Sequence, residues 1–438
     1  MSTNPDDVGA RARRRIAWRL LPFVFLLYVI AYIDRTNVSF AALRMNADLG
    51  FSDRVFGLGI GMFYITYVLF EIPGAIIVER WSARKWIARI MISWGVVTIL
   101  TAFVRTTGEF YVARLFLGAA EASFFPGMIV YLTHWFRHRE RSRAIACLYA
   151  AVPAANLFGS PLAGWLLGVH WRGLPGWRWL FIAEGIPAIT FGIVAFFYMT
   201  DWASQARWLP SDERQWLEHE LLQEIHAKKR LCDFTILQAC SDPRVLLLIF
   251  TWLLTLSAYL GNVYWLPTFV KRLSGLSDRS VSTLMMIPAV IGVAVTLLNG
   301  WHSDKSRELP RHTAAPLLFA ALMYTFLIAV RSGPTVTVLL LLVSTGIVYA
   351  YLPVFWSMPT MILSGSAAAA AFGLINSVGQ LGGIAGPAIV GYFNDRTHSL
   401  TASFAFIVLA YIVGGVLILS MKIRNPLDAA PARQELEK

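Results

Sequence analysis

Charge is scarce in this sequence. Lys, Arg, Asp and Glu make up 15% of its 438 residues, against about a quarter in soluble domains, which excludes a fold whose whole surface faces water. Cysteine is scarcer still, and Cys147, Cys232 and Cys240 do not amount to a disulfide framework. The strict apolar/polar alternation of a membrane β-barrel is absent. No small-residue cleavage site follows the first apolar run and further runs come after it, so that run is not expected to be a cleaved signal peptide. Long polar stretches are lacking too, apart from one between about Asp201 and Asp242.

What the chain has is apolar sequence in long runs, 57% hydrophobic with a mean hydropathy of +0.57. A bilayer core about 30 Å thick takes about 20 helical residues to cross, and with a barrel excluded a helical bundle is the remaining spanning solution. About twelve such runs occur. They are centred near Leu26, Phe63, Val96, Gly118, Leu157 and Gly192, then near Thr255, Val290, Ala321, Gly346, Gly383 and Ile412. The expected fold class is therefore an all-α membrane protein of twelve transmembrane helices in two pseudo-symmetric six-helix bundles.

Basic residues give an expected orientation. Arg11, Arg13, Arg14, Arg15 and Arg19 precede the first run, and Arg80, Arg84, Lys85 and Arg89 follow the second. Arg137, Arg139, Arg141 and Arg143 follow the fourth, with Lys228, Lys229 and Arg230 in the polar segment and Lys305, Arg307 and Arg311 after the eighth run. On the other side Arg44 and Arg54 are offset by Asp48 and Asp53, and the loop after the ninth run has only Arg331. The positive-inside rule then puts both termini in the cytoplasm. The net charge of +12 thus reads as topology, and no nucleic-acid partner is expected.

The polar segment divides the runs six and six, as a joint between two bundles would. The domain reading is a cytoplasmic tail at 1–19, a bundle at 20–200, a cytoplasmic linker at 201–243, a second bundle at 244–423 and a tail at 424–438. Within the linker, Ser211 before Asp212 and Glu213 resembles an N-cap with acidic first-turn residues, predicting a short amphipathic helix through Trp216, Leu217 and Leu221. Local signatures recur between the halves. Glu79-Arg80-Trp81-Ser82-Ala83-Arg84-Lys85 follows the second run, and Asp304-Lys305-Ser306-Arg307 the eighth, with Glu79 and Asp304 225 positions apart. Gly159-Ser160-Pro161 with Gly164 recurs as Gly386-Pro387 with Gly391, the prolines 226 positions apart. Two features at nearly one offset point to a duplicated unit. Acid–base pairs at helix ends, Glu79 with Arg80 or Arg84 and Asp304 with Lys305, can pair across a gate and help two conformations stay close in energy. The Gly/Pro elements allow close approach and bending, or serve packing alone.

Charges at bilayer depth cost roughly 3 kcal/mol or more each. The first half carries Asp34, Arg35, Glu71, Arg114 and Glu121 within its runs. At the repeat offset Asp34 corresponds to Tyr259 and Glu121 to Gly346, so the second half is uncharged there. Arg114, Gly118, Glu121 and Phe125 have the spacing of one helix face. Tyr28, Tyr32, Arg35 and Ser39 share another, with Asp34 turned about 100° away. Tyr64, Tyr67 and Glu71 align in the second run, Tyr349, Pro353, Trp356 and Thr360 in the tenth, and Asn376, Gln380 and Gly383 in the eleventh. Polar and aromatic faces on several helices imply a wet cavity. Simpler readings stand beside this one. Asp34 and Arg35 can neutralise each other, Glu71 can support the neighbouring loop, Asn376 and Gln380 can be interhelical hydrogen-bond glue, and Trp and Tyr near run ends are interface anchors.

The twelve runs in two halves, the acid–base loops after runs two and eight, and Arg114 with Gly118 together resemble the major facilitator superfamily. Within it the sequence is similar to the anion:cation symporter family, which includes bacterial tartrate, phthalate, glucarate and galactonate permeases. The segments that carry this are YIDRTNVSFAAL (Tyr32–Leu43), FEIPGAIIVERWSARKWIARI (Phe70–Ile90), RLFLGAAEASFFPGMIVYLTHWF (Arg114–Phe136), GWRWLFIAEGIPA (Gly176–Ala188) and GLINSVGQLGGIAGPAIVGYFND (Gly373–Asp395). Two departures concern the inner gate: Ser82 and Ala83 stand where the superfamily usually has Gly and a base, and Arg137 follows Phe136 where relatives often have Pro.

The resemblance implies a proton-coupled carrier in a bacterial inner membrane, taking up a small organic anion of tartrate type by alternating access. It has Arg35 binding the substrate carboxylate and Glu121 carrying the coupled proton. The chemistry agrees, since arginine holds carboxylates bidentately without losing charge and a buried carboxylate can carry a proton. In that scheme Asp34 and Glu121 take protons from outside as the anion docks on Arg35, while Tyr64, Tyr67, Asn156, Trp356, Asn376 and Gln380 read the rest of the substrate. No cofactor or metal is expected, and the partners are the anion, protons and lipid around a monomer. A proton-coupled exporter shares the fold, and the Gly-Ser-Pro element resembles an antiporter motif, but a cation exporter has no need of Arg35. An enzyme would have to rest on His134 and His138, spaced i, i+4 but crowded by arginines and without an HExxH glutamate. A passive channel leaves the duplicated gates and buried acids without a task.

Overall fold

The computed structural model describes residues 5–229, 242–306, 308–329, 333–362 and 365–421. The chain divides into two compact units, Met1–Arg230 with Leu276–Met286, and Leu231–Gly275 with Ile287–Lys438.

In the first unit α1 (Pro5–Leu49) is followed by α2 (Asp53–Arg80), α3 (Ala83–Thr101), α4 (Thr107–Glu121), α5 (Phe124–Thr133), α6 (His138–Leu167), α7 (Gly176–Tyr198) and α8 (Ser211–Lys229). The short α10 (Asp278–Leu284) also belongs to it. The second unit holds α9 (Pro243–Ser274), α11 (Met286–Ser306), α12 (Leu309–Ala329), α13 (Pro334–Val348), α14 (Tyr351–Ile362), α15 (Gly365–Gly379), α16 (Leu381–Thr397) and α17 (Thr401–Ser420). Among the described residues, eleven helical stretches are long and apolar enough to cross a membrane. The expected third span, α3, is not one of them, because Arg84, Lys85 and Arg89 crowd its first two turns. Long basic side chains at a helix end can reach the interface while their stems stay apolar, and one face of α3 packs against α7.

The basic tail is the first part of α1 and not a separate segment, because alanines and arginines, good helix formers, run into the apolar stretch without a break. The linker helix α8 forms as expected, with Leu217 buried. Its first helical residue is Ser211 itself, and the Pro210 carbonyl accepts from Arg214 N at 2.9 Å, so Ser211 is not the cap. Acids along α8 hold arginines from three places: Asp212 pairs with Arg11 at 3.1 Å, Glu213 with Arg15 at 3.5 Å and Glu220 with Arg137 at 2.6 Å. Arg137 thus ties the end of α5 to the linker helix. Lys228 and Lys229 close α8, and the side chains of both, with Arg230, Arg307, Arg331, Cys232, Cys240 and the tail from 424, lie outside the described residues.

Two breaks shape the interior. The fourth span ends as an α-helix at Glu121; Ala122 is extended and Ser123 is left-handed at φ 68° before α5 begins. The expected face from Arg114 to Phe125 therefore stops at Glu121, since a change of hand re-aims every later side chain. The eleventh span is interrupted at Gln380, between α15 and α16.

Gly118 shows how closely α2 and α4 meet. A Cβ there would collide with the Phe63 carbonyl oxygen and the Thr66 hydroxyl, and Thr66 donates to the Leu115 carbonyl at 2.6 Å across the same contact. Gly118→Ala is expected to cost about 1–3 kcal/mol by overpacking, read as a lower melting temperature in detergent. Gly108→Ala on the same helix meets nothing within 4 Å and is the control that leaves it unchanged.

The units differ in what they bury. The first buries Asp34, Glu71, Arg114, Glu121 and Glu184 within its helices. Among the described residues the second buries no charged side chain. Its polar core is neutral: Asn262 donates to Thr345 at 2.8 Å and accepts from the Tyr324 hydroxyl at 2.7 Å. Tyr259, the counterpart of Asp34, packs edge-on against Tyr349.

Candidate functional site

The site in the first unit is built around adjacent residues of α1 that face different helices. Arg35 turns to α4, where its Nε donates to Glu121 Oε1 at 2.9 Å and its Nη2 to the same oxygen. Asp34 turns to α3, accepting from the Thr98 hydroxyl at 3.1 Å, and accepts from Asn37 Nδ2 at 3.2 Å. The reading in which Asp34 and Arg35 pair with each other is thereby replaced: about 100° of helix rotation per residue sends them to separate partners.

Glu121 is the last residue of α4, where unpaired carbonyls make the helix end electronegative. Its carboxylate is 2% exposed and sits where another negative charge is unwelcome, so the Arg35 guanidinium is the cation that holds it. Glu121 Oε2 has no hydrogen-bond partner. The left-handed turn after it is held by Trp86, whose indole N–H donates to Ser123 Oγ at 3.2 Å.

Aromatic rings wall this pair. The Arg35 guanidinium lies 5.1 Å from the centre of the Tyr67 ring and 5.8 Å from that of Phe63. Arg114, fully buried, lies over the other reach of Phe63 at 4.9 Å. Tyr64 packs edge-on against Phe63 at 5.1 Å and Tyr28 stacks on Phe124. A guanidinium over rings is loosely hydrated. Arg35 keeps 19% of its side chain exposed, against the near-complete burial of Asp34, Glu121 and Arg114, so it is the charge in this group that a ligand can reach. Glu71, one turn along α2 from Tyr67, is buried with Oε1 lacking a hydrogen-bond partner. Asn156 is half-buried on α6.

In the second unit Trp356 packs edge-on against Trp252 at 5.0 Å and stacks on Phe372 at 5.5 Å. Asn376 and Gln380 are half-buried at the α15–α16 junction, where the Asn376 carbonyl accepts from Gln380 N at 3.0 Å. The side chain of Thr360 lies outside the described residues.

At the loop after α2 the tie is a residue that sequence reasoning passed over. Asp201 accepts from Ser82 Oγ at 2.7 Å and from Arg84 N at 2.8 Å. Ser82 also caps α3, accepting from Lys85 N at 3.1 Å. Glu79 and Arg80 are exposed there. Lys305 lies over the Trp301 ring at 5.6 Å, and the side chain of its neighbour Asp304 lies outside the described residues. His134 stacks on Trp202 at 4.1 Å, and the side chain of His138 is likewise outside them. Glu184, Asn37 and Thr98 were also passed over. An acid in the apolar run of α7 was signal enough for Glu184, while the two neutral residues look like ordinary helix polar groups until the fold brings acids beside them.

The family model described as Major Facilitator Superfamily matches residues 24–387. The chain is 41% identical over 422 residues to an Agrobacterium vitis protein named "Putative tartrate transporter", covering 96% of this chain and 97% of that one. It is 36% identical over 406 residues to a quinolone resistance transporter of Acinetobacter baumannii, covering 92% and 93%. Among solved structures, a bacterial homolog of the human lysosomal transporter Spinster, in an inward-facing and unoccupied conformation, shares the fold with a TM-score of 0.72 at 18% identity, over 93% of this chain and 95% of that one.

Proposed function

From the premise that the chain belongs to the Major Facilitator Superfamily, and so is a multi-pass membrane transporter and not an enzyme, we propose that it carries a small organic anion inward together with protons. The substrate class is a dicarboxylate or sugar acid of tartrate type. Both termini are cytoplasmic in this reading, and the cycle is alternating access about a central site.

One observation carries the proposal: Arg35, which keeps a small exposed edge, is held by a buried Glu121. A substrate carboxylate and Glu121 compete for the same guanidinium. When the anion takes Arg35 bidentately, Glu121 loses its cation in a dry site beside a helix C-terminus and a proton neutralises it. Anion docking and proton uptake are then one event. Release inside reverses it: the proton leaves Glu121, whose carboxylate reclaims Arg35 and displaces the anion. Asp34 carries a proton in the same cycle, and Tyr64, Tyr67, Asn156, Trp356, Asn376 and Gln380 read the remainder of the substrate. Glu79, Arg80 and Arg84, with Asp304 and Lys305, serve the inner gate. Similarity to the tartrate-named relative supports the substrate class.

Similarity to the quinolone resistance transporter favours a second reading, proton-driven export. Uptake into liposomes separates the two. Under an inward proton gradient radiolabelled tartrate is expected to accumulate, and collapsing the gradient to stop it. Expulsion of a fluoroquinolone under that same inward gradient, without tartrate uptake, would favour the exporter.

A further inference from the structure

The break in the fourth span holds a residue ill-suited to it. Ser123 is left-handed at φ 68°, a conformation that glycine takes freely and a Cβ makes costly. Among the described non-glycine residues with positive φ, Arg172 and His398 are exposed and Ser123 alone is buried. Glycine would suit this backbone better, so the hydroxyl has to supply something in return. It accepts from the Trp86 indole N–H at 3.2 Å and donates to the Ala122 carbonyl. Room for it comes from α2, where a Cβ on Gly74 would collide with Ser123 Oγ. The Trp86 ring is covered in turn by the Arg89 guanidinium, 3.9 Å from its centre. α2, α3 and the fourth span thus converge on one hydroxyl.

The turn separates two contacts with α1. Before it, Glu121 holds Arg35. After it, Phe124 and Phe125 both meet Tyr28, with ring centres 6.4 and 5.6 Å apart, roughly two turns before Arg35 on the same helix. Were Ser123 right-handed, α4 would run on into α5 and the direction of those rings relative to Glu121 would change. The tie matters most when Glu121 lets go. In the cycle above Glu121 leaves Arg35 and then reclaims it from the anion. While the two are apart Arg35 no longer fixes the end of α4, and the Trp86–Ser123 hydrogen bond still does.

We propose that Trp86 is a positioning residue for proton coupling: through Ser123 it holds the end of α4 so that Glu121 returns to Arg35 in each cycle. This rests on the proton-coupled reading above and adds to it a residue of α3 that touches neither the anion nor the proton.

The full-length protein in liposomes tests it. Trp86→Phe keeps an aromatic ring and removes the N–H donor. It is expected to lower the ratio of gradient-driven tartrate accumulation to tartrate counterflow about 5-fold, the factor of one neutral hydrogen bond. Ser123→Ala keeps the Cβ, loses the acceptor and is expected to fall equally. Adding Ser123→Gly to Trp86→Phe is expected to restore the ratio, since glycine holds a left-handed turn unaided. An unchanged ratio in Trp86→Phe, or no rescue by Ser123→Gly, overturns the proposal. Accumulation and counterflow falling together mean a packing role and overturn it as well. Should Trp86→Phe not fold, Ser123→Ala decides alone, and an undiminished ratio there overturns it. Melting in detergent reads the tie without protons: Trp86→Phe is expected to lower the melting temperature more in the wild-type background than in the Ser123→Gly background. An equal loss in the two overturns the tie. If collapsing the gradient leaves wild-type accumulation untouched, the proton-coupled reading itself falls, whatever the melting curves show.

Discussion

Arg35→Ala is expected to weaken tartrate binding by about 100-fold or more. A hydrogen bond to a charged group contributes about 1.5–3 kcal/mol, and a bidentate carboxylate contact has two, so about 3 kcal/mol is a lower figure; each 1.4 kcal/mol is tenfold. The loss reaches stability too. Arg35 is the cation seen on Glu121, and removing one member of a buried pair costs about 3–5 kcal/mol unless the survivor takes a proton. Arg35→Ala is therefore expected to melt earlier. Adding Glu121→Gln to Arg35→Ala should recover the melting temperature without recovering the affinity, because it removes the stranded charge and supplies no anion donor. Arg35→Lys should fall between, since an ammonium offers charge without the planar fork. Calorimetric titration beside thermal melting reads both effects. Affinity retained in Arg35→Ala would sink the carboxylate role, whatever the melting curve did.

Glu121→Gln separates binding from coupling. The amide oxygen still accepts from Arg35, so the geometry of the α1–α4 contact survives, but the side chain no longer gains or loses a proton. Each coupled proton under a one-unit pH gradient is worth about 1.4 kcal/mol, or roughly tenfold accumulation. The variant is expected to lose that concentrating ability and to equilibrate substrate only, while exchange of labelled for unlabelled tartrate continues. Full gradient-driven accumulation by Glu121→Gln would show that the coupling proton rides elsewhere. The same assay on Asp34→Asn, with Thr98 and Asn37 left in place, tells whether one acid or both carry the protons.

Much of this was legible in the chain itself. Long apolar runs without charge leave no alternative to a helical bundle in lipid, because backbone polar groups there must be satisfied within each segment. The repeat offset exposed the asymmetry between a half with Asp34, Arg35, Glu71, Arg114 and Glu121 and a half with none at the matching places, and the neutral Asn262–Thr345–Tyr324 core agrees. The charges were visible one by one because each is costly at that depth.

Their partners were not. Helical periodicity says which residues share a face of one helix and nothing about which helix that face meets. It was silent on whether Arg35 answers its neighbour Asp34 or Glu121, 86 positions away, and it ran a single face through Ser123, where a left-handed residue ends it. It also passed over Asp201, whose partners Ser82 and Arg84 are distant in sequence. The sequence by itself determined a lipid-embedded, duplicated helical bundle with acids and arginines in one half, because burial and span length are local properties of composition. Tertiary structure alone decided that Arg35 is held by Glu121 and Asp34 by Thr98 and Asn37, because pairing depends on how helices rotate and approach one another.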